Sequence, residues 1–263
     1  MPNPQNYHHA LVEGFYTEKA ILETLTSKLA IGFSPTVNEP PPYRGGKSTI
    51  KVRLERLLPQ FLQPAFPPSR VLVMRDVDTN EGESINDLKD EYEGVLTQMS
   101  QQAGNISSIQ LKPLTGHNNV FTFELARPDF RIAFHFADEQ RHGFTGFVKQ
   151  TTDDYMLRLL ECQNSINGIF QRICTRPRIP ALAWASGTDA DVVRQIESQI
   201  RQHVGDARLP SYLEAKYYLT VYAMIVREYG EDKFIEWLID GAETSDVRDT
   251  FSSLIAAIDF LTR

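Results

Sequence analysis

Three acidic residues in this chain have the spacing most open to chemistry. Glu13 closes an apolar run over residues 7–12 and is followed by Gly14. Asp76 and Asp78 follow a second strand-like run, residues 70–74 (RVLVM), as an Asp-x-Asp pair. In open α/β sheets, ligands gather outside the carboxyl ends of the strands. If the two runs are neighbouring strands, three carboxylates meet at one sheet edge. Converging carboxylates repel one another unless a cation compensates them. A small set of hard oxygen donors suits Mg²⁺ or Mn²⁺. Such ions lower the pKa of water and clamp a phosphodiester during transfer. Taken singly, a Glu-Gly after a strand reads as a turn, and an Asp-x-Asp as a solvated loop or a helix cap. The pairing of the two, in this order and at two strand ends, is what makes the pattern specific.

These acids need elements to position them, and the first half of the chain supplies strand and helix signals in alternation. Residues 7–12 form a short strand. A helix capped by Thr17 follows, with Ile21, Leu22, Leu25 and Leu29 at helical spacing and Glu18 in its first turn, where the dipole favours an anion. Residues 38–46 are a Pro/Gly-rich loop. Residues 47–62 read as a second helix, with Ile50, Leu54, Leu57, Leu58 and Phe61 on one side, ended by Pro64, Pro67 and Pro68. Residues 70–74 (RVLVM) are a continuous β-rich run, as in a central parallel strand covered on both faces. Ser84 and Asp87 resemble a capping box ahead of a helix bearing Leu88, Tyr92, Val95, Leu96 and Met99. Residues 106–111 and 120–125 read as two more strands. Residues 130–137 alternate like a strand, through Phe130, Ile132, Phe134 and Phe136, but also suit an aromatic helix. This succession predicts an α/β fold with a parallel, helix-covered sheet. From Thr151 onward the pattern is helical, with candidates at 152–163, 189–203, 211–229, 231–240 and 245–262, and with Ser211 and Glu214 as a capping pair. We therefore expect an α/β domain over 1–140 and a helical domain over 150–263.

Composition excludes several classes. The 263 residues carry 27 Lys+Arg and 34 Asp+Glu, a net charge of −7, so the chain does not coat nucleic acid by bulk charge. No run of about 18 uncharged apolar residues exists, so no membrane span is expected. Residues 1–9 lack a basic stretch followed by an apolar one, so no secretion signal is expected. Cys162 and Cys174 form no CxxC and cannot make a zinc site alone. A reducing cytoplasm is the expected location.

The run Val12-Glu13-Gly14, then Thr17-Glu18, a Gly-Gly-Lys-Ser loop, and a strand ending in Asp76-Val77-Asp78 resembles the Toprim domain. This is the topoisomerase–primase fold shared with OLD-type nucleases. The likeness covers about residues 8–140 and is strongest to small stand-alone Toprim proteins of bacteria and phages. Several of those are encoded beside an ABC-type ATPase, and some are nuclease effectors of phage defence. The resemblance implies a Rossmann-like sheet and a Mg²⁺- or Mn²⁺-dependent nuclease acting on DNA or RNA. It also implies an ATPase partner, and a homo-oligomer is compatible with it. Glu13 matches the family's glutamate, a metal ligand or general acid/base. Asp76 and Asp78 match its metal-binding aspartates, and Glu18 its second glutamate. Glu83 stands where an additional acid often follows, with Glu81 as the alternative. Thr79-Asn80-Glu81-Gly82 intervenes where many members place a small residue and further acids. Where related proteins often carry a glutamate in the aromatic segment, this chain has Arg131, Ile132 and His135. The same resemblance leaves open a non-catalytic binding or regulatory subunit of an ATPase assembly.

Other residues need weighing. Lys47, at a Gly-rich helix start, could neutralise charge on a phosphate as a catalytic group, or be a solvated lysine. Lys216 reads more readily as a surface lysine. Gly46-Lys47-Ser48 mimics a P-loop, but Pro41 holds the place of its first glycine, which argues against an NTPase. Of His8 and His9, one is expected to face the core. His117, His135 and His142 lack ligand spacing, and His135 is a weak candidate for a base. Arg172, Arg176 and Arg178 form a basic loop suited to a nucleic-acid backbone or to solvent. Tyr217, Tyr218 and Tyr222 are expected to pack helices.

Overall fold

The structure is a computed structural model that describes residues 7–14, 16–37, 46–63, 66–102, 108–126, 129–142, 147, 149–162, 195, 198, 214–226 and 231–263. Among them, strand β3 (Ser69–Arg75) is buried at every position, as a four-residue apolar run flanked by covered neighbours requires. Strands β1 (Tyr7–Val12), β2 (Thr36–Val37), β4 (Lys112–Leu114), β5 (His117–Leu125) and β6 (Phe130–Phe136) join it in a six-stranded sheet of order β2-β1-β3-β6-β5-β4. The fold is α/β, with a mixed sheet covered by helices.

The first four strands in that order are mutually parallel. The last two are not, which corrects the expectation of an all-parallel sheet. β5 runs antiparallel to β6 and β4 antiparallel to β5. The reason is the length of the connections. β5 ends at Leu125 and β6 starts at Phe130, whereas a parallel crossover needs about a dozen residues or more. Residues 130–136 are a strand rather than an aromatic helix, paired on both sides. The strand expected over 106–111 is also corrected. The described part, from Ser108, does not pair. Instead the Ile109 N–H donates to Thr97 Oγ1 at 3.0 Å and the Leu111 N–H to Glu93 Oε1 at 2.7 Å, so a helix side takes these amides.

Helices α1 (Tyr16–Lys28), α2 (Lys47–Phe61) and α3 (Ile85–Gln102) stand where the apolar spacing places them. The Ser84–Asp87 capping box forms: the Ser84 N–H donates to Asp87 Oδ2 at 3.0 Å and the Asp87 N–H to Ser84 Oγ at 3.2 Å. One sheet face carries Leu11, Val71, Val73, Ile132, Phe134 and Phe136 against Leu54 and Leu58 of α2 and Tyr92 and Leu96 of α3.

Helices α4 (Thr152–Glu161), α5 (Ala215–Val226), α6 (Glu231–Gly241), α7 (Thr244–Thr250) and α8 (Ser252–Thr262) follow among the described residues. The helix expected over 245–262 is two helices that break at Phe251. Contacts divide the chain into two compact units that a cut near 140–150 does not reproduce. One comprises Met1–Lys19, Ile31–Asp138 and Ser252–Arg263; the other comprises Ala20–Ala30 and Glu139–Phe251. α8 belongs to the first because it packs on β3, β5 and β6. There Ser253 Oγ lies 3.0 Å from His135 Nε2, and Arg131 holds the end of α8 through the carbonyls of Phe260 and Arg263. A cation at a helix C-terminus answers both the dipole and the orphan carbonyls. In the second unit α4 packs with α5, α6 and α7, and Tyr155 stacks on Phe251 at 5.6 Å. Of the helix expected over 189–203, Gln195 and Ser198 are described and are helical. Cys174, Ser211 and the loop bearing Arg172, Arg176 and Arg178 lie outside the described residues. Among the described residues no helix is long and apolar enough to cross a membrane.

Candidate functional site

β1 and β3 are adjacent and parallel, with Val12 opposite Met74. That register carries Glu13 and Arg75 to the same sheet edge, with Asp76 and Asp78 just beyond. The two acidic motifs, 62 residues apart at Glu13 and Arg75, are therefore joined by strand pairing alone. The start of α2 is tied to the same edge, because the Gly46 N–H donates to the Glu13 carbonyl at 2.7 Å. Gly46 has φ of +101°, a conformation that side chains rarely tolerate, so a glycine there sets the entry of α2 and the place of Lys47.

Arg75 organises the acids. Its Nη1 donates to Glu13 Oε2 at 2.5 Å and to the Asp76 carbonyl at 2.6 Å. Its Nη2 donates to Glu83 Oε1 at 2.9 Å and Oε2 at 3.2 Å. Arg75 is 3% exposed. Burial opposes its charge, but Glu13, with Tyr92 and Glu83, more than offsets this and raises the guanidinium above its ordinary pKa. Tyr92 of α3, against the same guanidinium, is shifted up chiefly by burial. Glu83 also accepts the Asp78 N–H at 3.0 Å, which fixes the turn after β3.

Lys47, the first residue of α2, makes the second set of links. Its ammonium pairs with the Asp78 carboxylate, donates to Glu81 Oε2 at 2.8 Å, and lies 4.0 Å from Glu83 Oε1. The Asp78 side chain is 0% exposed, whereas Lys47 is 35% and Glu81 66% exposed. The single turn Thr79–Glu81 sets this arrangement, as the Glu81 N–H donates to the Asp78 carbonyl at 2.9 Å.

The sequence-selected residues thus separate. Glu13, Asp78, Glu83 and Lys47 belong to one network through Arg75 and the turn. Asp76 is half-buried at the same strand end, where its carbonyl is held by Arg75. Glu18 shapes the turn instead: it is 3% exposed and its Oε1 accepts the Gly14 N–H at 2.9 Å. A Cβ on Gly14 would lie 2.5 Å from Glu18 Oε2, so a side chain there would push the Glu18 carboxylate aside. Glu81, the alternative to Glu83, faces Lys47 rather than Arg75. His135 does not face this edge. It is buried between β6 and α8, and burial first, then His117, pushes its pKa down to about 3. His8 and His9 are both half-buried; His8 stacks on Phe33, and His9 meets the Phe61 ring at a tilt of 38°. Lys216 is an exposed residue of α5, and Tyr218 is buried against Phe147 while Tyr217 is exposed.

Sequence reasoning passed over Arg75. The signal was present: an arginine at the end of a strand buried on both faces must find anions.

No family model matches the chain, and no match is found among curated proteins or solved structures.

The donor chemistry suits a hard divalent cation. Glu13, Asp76, Asp78, Glu81 and Glu83 supply five negative charges, and Lys47 and Arg75 two positive ones, leaving three negative. Every side-chain donor among the acids is a carboxylate oxygen, the type that Mg²⁺ and Mn²⁺ take. Among the described residues no group of three or more His, Cys, Asp or Glu side chains is placed so that it could hold a metal ion as it stands. Two cationic side chains instead link the carboxylates.

Proposed function

We propose that this chain is a Toprim-type, Mg²⁺- or Mn²⁺-dependent nuclease of the phage-defence kind, working with an ABC-type ATPase partner. The observation that carries the reading is the convergence of Glu13 and the Asp78 turn at one edge, through Arg75, from two motifs far apart in sequence. Asp76 and Asp78 would hold the cation, with Glu13 as a further ligand or general acid/base and Glu83 or Glu81 completing the set. A divalent ion held there lowers the pKa of water and offsets charge on the phosphodiester during transfer. Arg75 keeps Glu13 and Glu83 at fixed separation, and Glu18 holds the Glu13-Gly14 turn. Lys47 supplies a positive charge beside the place where the phosphate must lie. Hydrolysis adds water across one P–O bond and leaves a phosphate monoester and a hydroxyl.

The test is Glu13→Gln, assayed with Mn²⁺ on a panel of single- and double-stranded DNA and RNA. Loss of cleavage with an intact fold is expected; unchanged cleavage rejects the assignment. One feature favours a second reading, a non-catalytic binding subunit. Glu13 and Asp78 are each already paired with a cationic side chain of the same chain. The absence of any divalent-ion binding by calorimetry would select that reading.

A further inference from the structure

We propose that Lys47 is a resident counter-cation, which keeps the acidic turn assembled without metal and which a divalent ion must displace on entering. This rests on the metal-dependent reading above and goes beyond it.

Asp78 is fully buried, and a buried carboxylate without a cation is costly. Arg75 is engaged by Glu13, Glu83 and the Asp76 carbonyl, and the ammonium of Lys47 pairs with Asp78. The ammonium has Asp78, Glu81 and Glu83 within 4.0 Å. Lys47 and Arg75 together face four carboxylates, Glu13, Asp78, Glu81 and Glu83, so the cluster stays negative and a second positive charge at the Lys47 position would serve it better. The ammonium thus stands where the field favours a divalent ion. The tether is also built to yield. Its link to Glu81 is solvent-exposed, where an ion pair contributes little. Lys47 and Glu81 are the exposed members, so an ion arrives on their side. Exchange frees a flexible ammonium beside the cation, where it can meet the charge of a phosphate. A site filled by its own lysine binds its ion more weakly, by the fraction of time it stands open.

Two measurements on the full chain test this. In the first, wild-type protein is labelled with an amine-reactive reagent at fixed pH and each lysine is read by mass spectrometry. Labelling of Lys47 is expected to rise several-fold on addition of saturating Mg²⁺. Lys51, on the same helix and paired with Glu91 at 3.6 Å, is expected not to change. In the second, Mn²⁺ is titrated calorimetrically into wild type and Lys47→Ala. The variant is expected to bind on the order of tenfold more tightly, and to melt at a lower temperature than wild type in EDTA. If Mn²⁺ binds while Lys47 labelling and affinity stay unchanged, displacement is overturned and the metal reading stands. If neither protein binds Mn²⁺, both are overturned.

Discussion

The acidic sheet edge and the ionic cluster of the helical unit use the same residue types to opposite ends. In the helical unit, Arg141 donates to Glu139 Oε2 at 2.7 Å and to Asp249 Oδ2 at 3.1 Å, and Arg158 lies 3.8 Å from the same Asp249 oxygen. Two carboxylates meet two guanidinium groups, and the account closes at zero. The nearby Asp154 is equally occupied. It accepts the Thr151 N–H at 2.6 Å as a helix cap and pairs with His142 at 2.9 Å. At the sheet edge, five carboxylates meet two cations. Charge is balanced in the first cluster and in surplus at the second, and the proposed cation would answer that surplus.

The comparison is broken most sharply by activity. Asp78→Asn and Glu13→Gln are expected to lower Mn²⁺-dependent cleavage by about 10³-fold or more. Glu139→Gln and Asp249→Asn, in cleavage assays below the melting temperature, are expected to change it by less than about threefold. Equal losses at both clusters would erase the distinction.

Stability should divide them next. Arg75→Met leaves Glu13 and Glu83 without their shared cation, and we expect a loss of about 3 kcal/mol in denaturant unfolding. Arg141→Ala, at a group 47% exposed, is expected to cost about 1 kcal/mol or less. Neutralising an acid should act with opposite sign in the two regions. In EDTA, Asp76→Asn relieves repulsion and is expected to leave the melting temperature unchanged or higher, whereas Glu139→Gln lowers it. The same sign at both would contradict the surplus-charge account.

The last test is a control away from both clusters. The folded pKa of His135 lies below its ordinary value, so folding excludes a proton that the unfolded chain accepts. Stability is whole above about pH 6.5 and falls toward pH 3, by up to about 1.4 kcal/mol per pH unit. In urea melts across this range, His135→Asn is expected to flatten that limb. An unchanged slope would remove His135 as its source.

What the sequence made legible follows from local physics. The Ser84–Asp87 cap, the helical spacing of α1 to α3 and the doubly buried β3 are short-range patterns, and each formed as read. The antiparallel hairpin was missed, although Thr115-Gly116, with Gly116 at φ +86°, lies between β4 and β5. A two-residue turn containing glycine is a hairpin signal. α8's return to the sheet was not legible, because a helix's apolar face does not name its partner. At the candidate site, the order of Glu13 and Asp76-x-Asp78 gave the edge. Arg75 and the Lys47–Asp78 pair needed the strand register and the Gly46–Glu13 hydrogen bond, both long-range facts.

The most direct test of the central claim is anomalous diffraction from crystals grown with Mn²⁺. The account predicts a manganese peak in direct contact with a carboxylate oxygen of Asp78, with Lys47 moved away and Glu13 on the same side. Manganese absent from this edge at saturating concentration, with Lys47 still against Asp78, would contradict it.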